Sequence, residues 1–218
     1  MSNPLFEKFL AALLDTLAMV GVSGMVAVAL GLPLALLLVM TAPGGLLHAP
    51  RFHRVASVMV DGMRATPFII MMVLMIPVTR WLVGSAVGVA AAIVPLTISI
   101  TPYFARIAEV SLREVDKGLI EAAQAMGCER RHIVLHVLLA EALPGIAAAV
   151  TITLVALFNL SAMAGVLGAG GLGDLAIRYG FDRYEPLIMA AVVLLLFVLV
   201  TGTQLAGDRL VSRLRRYR

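Results

Sequence analysis

Apolar residues along this chain fall into long unbroken runs rather than into the alternating or striped patterns of a soluble fold. Stretches without an ionisable residue cover 16–50 (His48 apart), 65–79, 81–105, 142–172 and 186–207. A hydrocarbon core of roughly 30 Å asks for about 20 apolar residues per helix, so the runs predict five membrane spans, with connecting chain inside the first and fourth. The second run is short. Asp61 and Arg64 at its start can snorkel or face protein, which extends the predicted helix to about 55–78. Pro33, Pro77, Pro95, Pro102, Gly84 and Gly88 recur within the spans, where neighbouring helices satisfy the freed backbone groups. The expectation is an all-α integral membrane bundle, residues 1–218 forming one domain.

Composition agrees. The 218 residues are 61% hydrophobic and 14% charged, against about half and a quarter in soluble proteins. The formal charge of +4 would suit nucleic acid, but the basic residues are spread over short loops and the C-terminal tail, so topology accounts for them and no nucleic-acid partner is expected. Five spans put the ends on opposite sides. One orientation gathers Arg51, Arg54, the 106–131 stretch and the 209–218 tail on the cytosolic face; Lys8, Arg80, Arg178 and Arg183 remain outside with Glu7, Asp174, Asp182 and Glu185. The N-terminus is then periplasmic and the C-terminus cytosolic. The first apolar run exceeds a signal-peptide core and is expected to be retained. Cys128, beside Glu129, Arg130 and Arg131, is the one cysteine and reads as a free cytosolic thiol.

Several chemistries lack their residues. The span centres carry no charged side chain, which argues against proton or sodium coupling. A P-loop needs Gly-Lys-Ser/Thr, and the two lysines follow Glu7 and Asp116, so no ATP or Mg site is expected on this chain. The string GAGGLG (168–173) matches a dinucleotide fingerprint but follows a membrane helix instead of a strand, and reads as a flexible extracellular loop. His132 and His136 lie one helical turn apart without a third metal ligand, and read as a solvated face. Ser99 and Ser161 have no histidine or lysine in their spans, so catalysis is not expected.

The long polar interruption, about 106–141, is the informative segment. GLIEAAQAMG (118–127) forms a short helix with Leu119, Ala122, Ala123 and Met126 on one face, and Gly127 permits a sharp turn. A second amphipathic segment carries Ile133, Val134, Val137 and Leu138 before Leu143-Pro144 opens the fourth span. Ala122 and Ala123 allow a partner to come close and Glu121 can meet a basic group; an amphipathic loop lying on lipid headgroups fits the same periodicity.

Glu121-Ala122-Ala123, then Gly127, then a Leu-Pro pair resemble the EAA coupling loop of ABC-importer permeases. The family's Leu-Pro falls where this chain has Leu139-Ala140, one turn before its own Leu143-Pro144. RATPFIIMMVLMIPVTR (64–80), AAIVPLT (91–97), EALPG (141–145), SAMAG (161–165) and GAGGLG (168–173) further resemble the permeases of methionine importers. The resemblance implies the type I importer fold, a bacterial inner membrane, and ATPase coupling through Glu121, Ala122, Ala123, Gly127, Leu143 and Pro144. It implies as partners a second copy of the chain, two cytosolic ABC ATPase subunits that carry the ATP and Mg, and a methionine-binding lipoprotein.

On that view Thr151, Thr153, Asn159, Ser161 and Met163 of the fourth span are candidates to line the passage, with Met163 as the gate; ordinary packing is the competing account. Residues 168–185 either dock the lipoprotein or form a solvated loop. Met71, Met72 and Met75 are given no role. Another small amino acid or nutrient as cargo, a passive channel, and a lipid-packing scaffold remain the rival readings.

Overall fold

The computed structural model describes residues 4–47 and 49–216; His48 and Arg218, both part of the sequence reading, lie outside them. The described residues are almost wholly helical: α1 (Pro4–Thr41), α2 (Pro50–Ala65), α3 (Phe68–Leu74), α4 (Ile76–Val83), α5 (Val89–Arg113), α6 (Lys117–Ala125), α7 (Arg130–His132), α8 (Leu139–Ala164), α9 (Gly171–Leu175) and α10 (Pro186–Arg216). π-helical stretches occupy Ile133–Leu138, Gly165–Ala169 and Ala176–Phe181. Four helical stretches are long and apolar enough to cross a membrane, and α2 with α3, bent at their junction, brings the number to five when the pair is counted as one span.

The five-span pattern therefore holds, but the second span is not one helix over 55–78. The axis turns by 102° between α2 and α3. Pro67 pushes Thr66 out of the α region into extended backbone (φ −73°, ψ 123°), and the Thr66 hydroxyl donates to the carbonyl of Gly62 at 3.1 Å, occupying a terminal acceptor. Pro77 then sits in the first turn of α4 rather than within a continuous helix. Gly84 and Gly88 both have positive φ and lie in the α4–α5 connection, outside the spans.

Helix α2 makes two polar contacts with the neighbouring helices. His53 Nδ1 donates to the carbonyl of Leu38 at 3.0 Å and Asp61 faces Arg106 of α5, while Phe52, Val55, Val58 and Met59 are exposed.

The core runs along α1, α5 and α8. Met19, Ala27, Leu96, Ile100, Leu157 and Phe158 form one buried cluster, and Ala35, Phe104, Ala108, Leu112, Leu138 and Ala142 a second, nearer the arginine-rich end. Lipid provides no hydrophobic drive between helices, so tight association depends on small residues that admit a neighbour. A Cβ on Gly145 would lie 2.6 Å from Ser111 Cβ, and one on Gly31 would lie 2.6 Å from the ring of Phe104, itself fully buried.

Two substitutions test this packing. Gly31→Val is expected to cost about 1–3 kcal/mol by overpacking and to lower the Tm of the detergent-solubilised protein. Gly21→Ala, with nothing within 4 Å of the new methyl, is expected to leave stability within about 0.5 kcal/mol.

Candidate functional site

At the arginine-rich end, α5 stops at Arg113 and the chain turns at once into α6. Asp116 caps α6, its Oδ1 accepting from the Gly118 N–H at 2.7 Å. The helix closes with Met126 N–H donating to Ala122 O at 3.1 Å and Cys128 N–H donating to Ala123 O at 3.1 Å. Gly127 supplies the left-handed residue of this C-terminus with φ 78°, as its place in the sequence predicts.

The face expected to carry Leu119, Ala122, Ala123 and Met126 is divided. Ala123 is buried and Ile120 packs toward the core, while Leu119, Glu121, Ala122 and Met126 are exposed. The first coupling candidates thus stand on a short helix held by one side and free on the other. Leu143 and Pro144 do not join them: the helix runs unbroken through both, Pro144 buried within α8 and Leu143 exposed. The chain passes from α7 to α8 through a π-helical turn at Ile133–Leu138, and the helix continues through Leu143-Pro144, so no break opens the fourth span there. His132 and His136 stack, their ring centroids 4.2 Å apart, and no group of three or more metal-ligating side chains exists among the described residues.

Along the last two turns of α5 lies an ion network whose members escaped the sequence reading, apart from Asp61 and Arg64. Glu109 is 2% exposed. Its Oε2 accepts from Arg106 at 2.6 Å, and its Oε1 accepts from Arg113 Nε at 2.9 Å and Nη2 at 2.6 Å. Arg106 uses its other face on α2, donating from Nε to Asp61 Oδ1 at 3.1 Å and from Nη2 to Oδ2 at 2.6 Å. The i, i+3 and i, i+4 spacing of Arg106, Glu109 and Arg113 was the available signal.

The passage candidates separate by face. Thr151, Thr153 and Ser161 are buried, and each hydroxyl donates to a carbonyl of its own helix: Thr151 to Ala147 at 3.0 Å, Thr153 to Ala149 at 2.7 Å and Ser161 to Phe158 at 2.8 Å. Thr151 also packs so closely on Gly207 of α10 that a Cβ there would overlap its hydroxyl. Within the protomer these three pack and do not line an open surface. Asn159 and Met163 instead lie one turn apart on an exposed stripe of α8 with Ile152, continued by Val166 of the π-helical stretch that follows.

Two apolar cavities flank the bundle, one of about 120 Å³ that includes Met72, Ile76, Thr79 and Pro95 and one of about 540 Å³ that includes Gly21, Gly24, Met25 and Leu154. Neither wall carries an ionised side chain, so neither offers counter-charges to a zwitterion.

At the opposite end, the GAGGLG segment is not a flexible loop. Positive φ at Gly168, Gly170 and Gly171 folds the chain back on itself, burying Gly171, Leu172 and Gly173. Leu172 N–H donates to Thr16 Oγ1 of α1 at 2.9 Å. A Cβ on Gly173 would strike the backbone of Ala162. Beyond it Tyr179 is half-buried, with Lys8 Nζ donating to its hydroxyl at 2.8 Å and Arg183 over the ring 4.6 Å from its centroid. The Lys8 hydrogen bond holds the phenol below its ordinary pKa, and the charges of Lys8, Arg183 and Arg178 act in the same direction.

Comparison with known proteins places these features in context. Residues 27–216 match the family described as binding-protein-dependent transport system inner membrane components. The chain is 51% identical over 207 residues to the probable D-methionine transport system permease protein MetI of Vibrio cholerae, covering 95% of this chain and 92% of that one. It is 46% identical to the D-methionine transport system permease protein MetI of Escherichia coli K12, over 76% of each chain. Among solved structures, an inward-facing MetNI methionine ABC transporter chain aligns with TM-score 0.96 and 45% identity, over 98% of this chain and 99% of that one. An amino acid ABC transporter solved with histidines shares the fold at TM-score 0.73 and 23% identity.

The phenol of Tyr179 yields a pH test. In an absorbance titration Tyr179 is expected to form phenolate below the ordinary tyrosine range. That early step is expected to vanish in Tyr179→Phe and to move upward in Lys8→Met, because the lysine hydrogen bond favours the ionised form.

Proposed function

Because the chain belongs to the family of binding-protein-dependent transport system inner membrane components, we propose that it is the membrane subunit of an ATP-driven importer for methionine, in both its L and D forms. The family is a transport component, not an enzyme. The observation that carries the reading is the exposed, capped helix α6, which stands at the arginine-rich end with Leu119, Glu121, Ala122 and Met126 uncovered. Close relatives are named for D-methionine transport, and the aligned structure is a methionine ABC transporter. Residues 1–218 act as one transmembrane domain.

In this mechanism α6 is the contact for a separate ABC ATPase, which holds ATP and Mg. Apolar Leu119 and Met126 enter a groove on that partner, Ala122 lets it come close and Glu121 meets a basic group. Gly127 sets the angle at which α6 leaves the bundle. Leu143 and Pro144 serve the loop indirectly by fixing the start of α8. The arginine-rich end, with Arg51, Arg54, Arg113 and the α10 terminus, faces the cytosol, as the excess of positive charge favours; the N-terminus is periplasmic.

A second copy of the chain faces the α8 stripe. An asparagine amide is costly against lipid, and Asn159 is exposed within an apolar helix. A partner protomer or a water-filled passage relieves that cost, and Met163 beside it is the gate. Thr151 and Ser161 support this stripe from behind. The end bearing Lys8, Tyr179 and Arg183 receives the methionine-binding lipoprotein. ATP binding draws the two coupling helices together and opens the halves toward the binding protein; hydrolysis returns them.

Uptake of labelled methionine into proteoliposomes holding the chain, its ATPase and the binding protein tests the reading. ATP-dependent uptake is expected, falling about tenfold in Glu121→Ala and in Gly127→Val, the loss typical of removing one important interface contact. Uptake without ATP would replace the importer with a channel, and preference for another amino acid would reassign the cargo.

A further inference from the structure

The polar contacts of α2 have a consequence for how force travels through the protomer. Among its side chains only Val60 is buried, so apolar packing holds α2 weakly. Its firm attachments are polar: His53 on the Leu38 carbonyl near its start and Asp61 on Arg106 near its end. Asp61 lies one turn before Ala65, where α2 ends and the chain bends by 102° into α3.

The other end of this connection reaches the coupling loop. Glu109, 2% exposed, needs both of its arginines, since a buried charge stripped of a partner is strongly unfavourable. Arg113 is the last residue of α5, and only residues 114–116 separate it from α6. Arg106 is bound to two carboxylates at once, and the planar guanidinium fork admits little reorientation between them. An unbroken set of charged hydrogen bonds thus runs Arg113, Glu109, Arg106, Asp61. Beyond the bend, Phe68 of α3 packs in the same cluster as Leu157 and Phe158 of α8, the residues just before Asn159.

We propose that Arg113, Glu109, Arg106 and Asp61 form a relay that makes the α2–α3 elbow move with the coupling helix, carrying displacement of α6 to the α8 stripe. Asp61 and Arg106 are positioning residues in this device; they touch neither cargo nor nucleotide. The role in transport rests on the importer reading above, whereas the mechanical link is a property of the chain itself.

Both parts are measurable in the complex with the ATPase and binding protein. The readout is methionine moved per ATP hydrolysed, which a loss of folded protein lowers in neither term alone. Asp61→Asn is expected to lower this ratio about fivefold, the size of effect typical along coupled networks. Asp61→Glu, which keeps the ion pair, is expected to stay within about twofold of wild type. An unchanged ratio in Asp61→Asn, or equal damage in Asp61→Glu, overturns the relay.

Hydrogen exchange decides the mechanical link independently. Arg113→Gln, two helices away from the elbow in sequence, is expected to raise exchange about fivefold at the amides of 62–66 in the purified complex. Unchanged exchange there overturns the relay. If wild-type protein moves methionine without ATP, the importer reading fails while the exchange result still stands for or against the link.

Discussion

A carboxylate removed from water must be neutralised by its neighbours, and Glu109 is the place where this chain meets that demand most severely. With both oxygens occupied by Arg106 and Arg113, it fixes the side chains on the last two turns of α5. Arg106 then has one remaining edge, and that edge selects the face of α2 that can dock. The rest of α2 stays largely open, with Phe52, Val55 and Met59 exposed. Replacing such an ionic cluster with apolar residues is often neutral for stability, so its value here lies in the arrangement it specifies.

Where the charges end, small residues take over the positioning. Gly31 against Phe104 and Gly145 against Ser111 bring α1 and α8 close to α5, and the buried hydroxyls of α8 satisfy themselves on their own helix. The result is a rigid three-helix centre, with more lightly held elements around it. Helices α2 and α6 belong to that periphery, each with one buried side chain.

The long spans were legible because length and apolar content alone identify a helix that crosses lipid; α1, α5, α8 and α10 needed nothing more. The broken second span was not, because a count of apolar residues passes through Pro67 and Pro77 without registering either. Conversely, Leu143-Pro144 looked like a boundary and is helix, with Pro144 buried inside α8. In the 106–141 segment, Gly127 and the amphipathic period were visible locally, whereas the Asp116 cap was not read. The meeting of Asp61 with Arg106 was not, as it depends on how α2 leans on α5 across 45 positions of sequence. The GAGGLG segment misled for a similar reason: its glycines read as freedom, whereas burial against Thr16 and Ala162 requires them for closeness.

The bond from Thr16 to Leu172 also bears on the order of synthesis. It joins residues 156 positions apart, so α1 is complete long before its acceptor site has a donor. Through most of translation the Thr16 hydroxyl and the Met19 side chain, which Gly171 approaches, await a segment not yet made. Contacts of such long range form late, after the loop between them has closed. Docking of α9 on α1 is therefore a finishing step of assembly, and a chain interrupted before residue 172 would expose an unfilled seam on its first helix, a surface that quality-control proteases and chaperones recognise in unfinished membrane proteins.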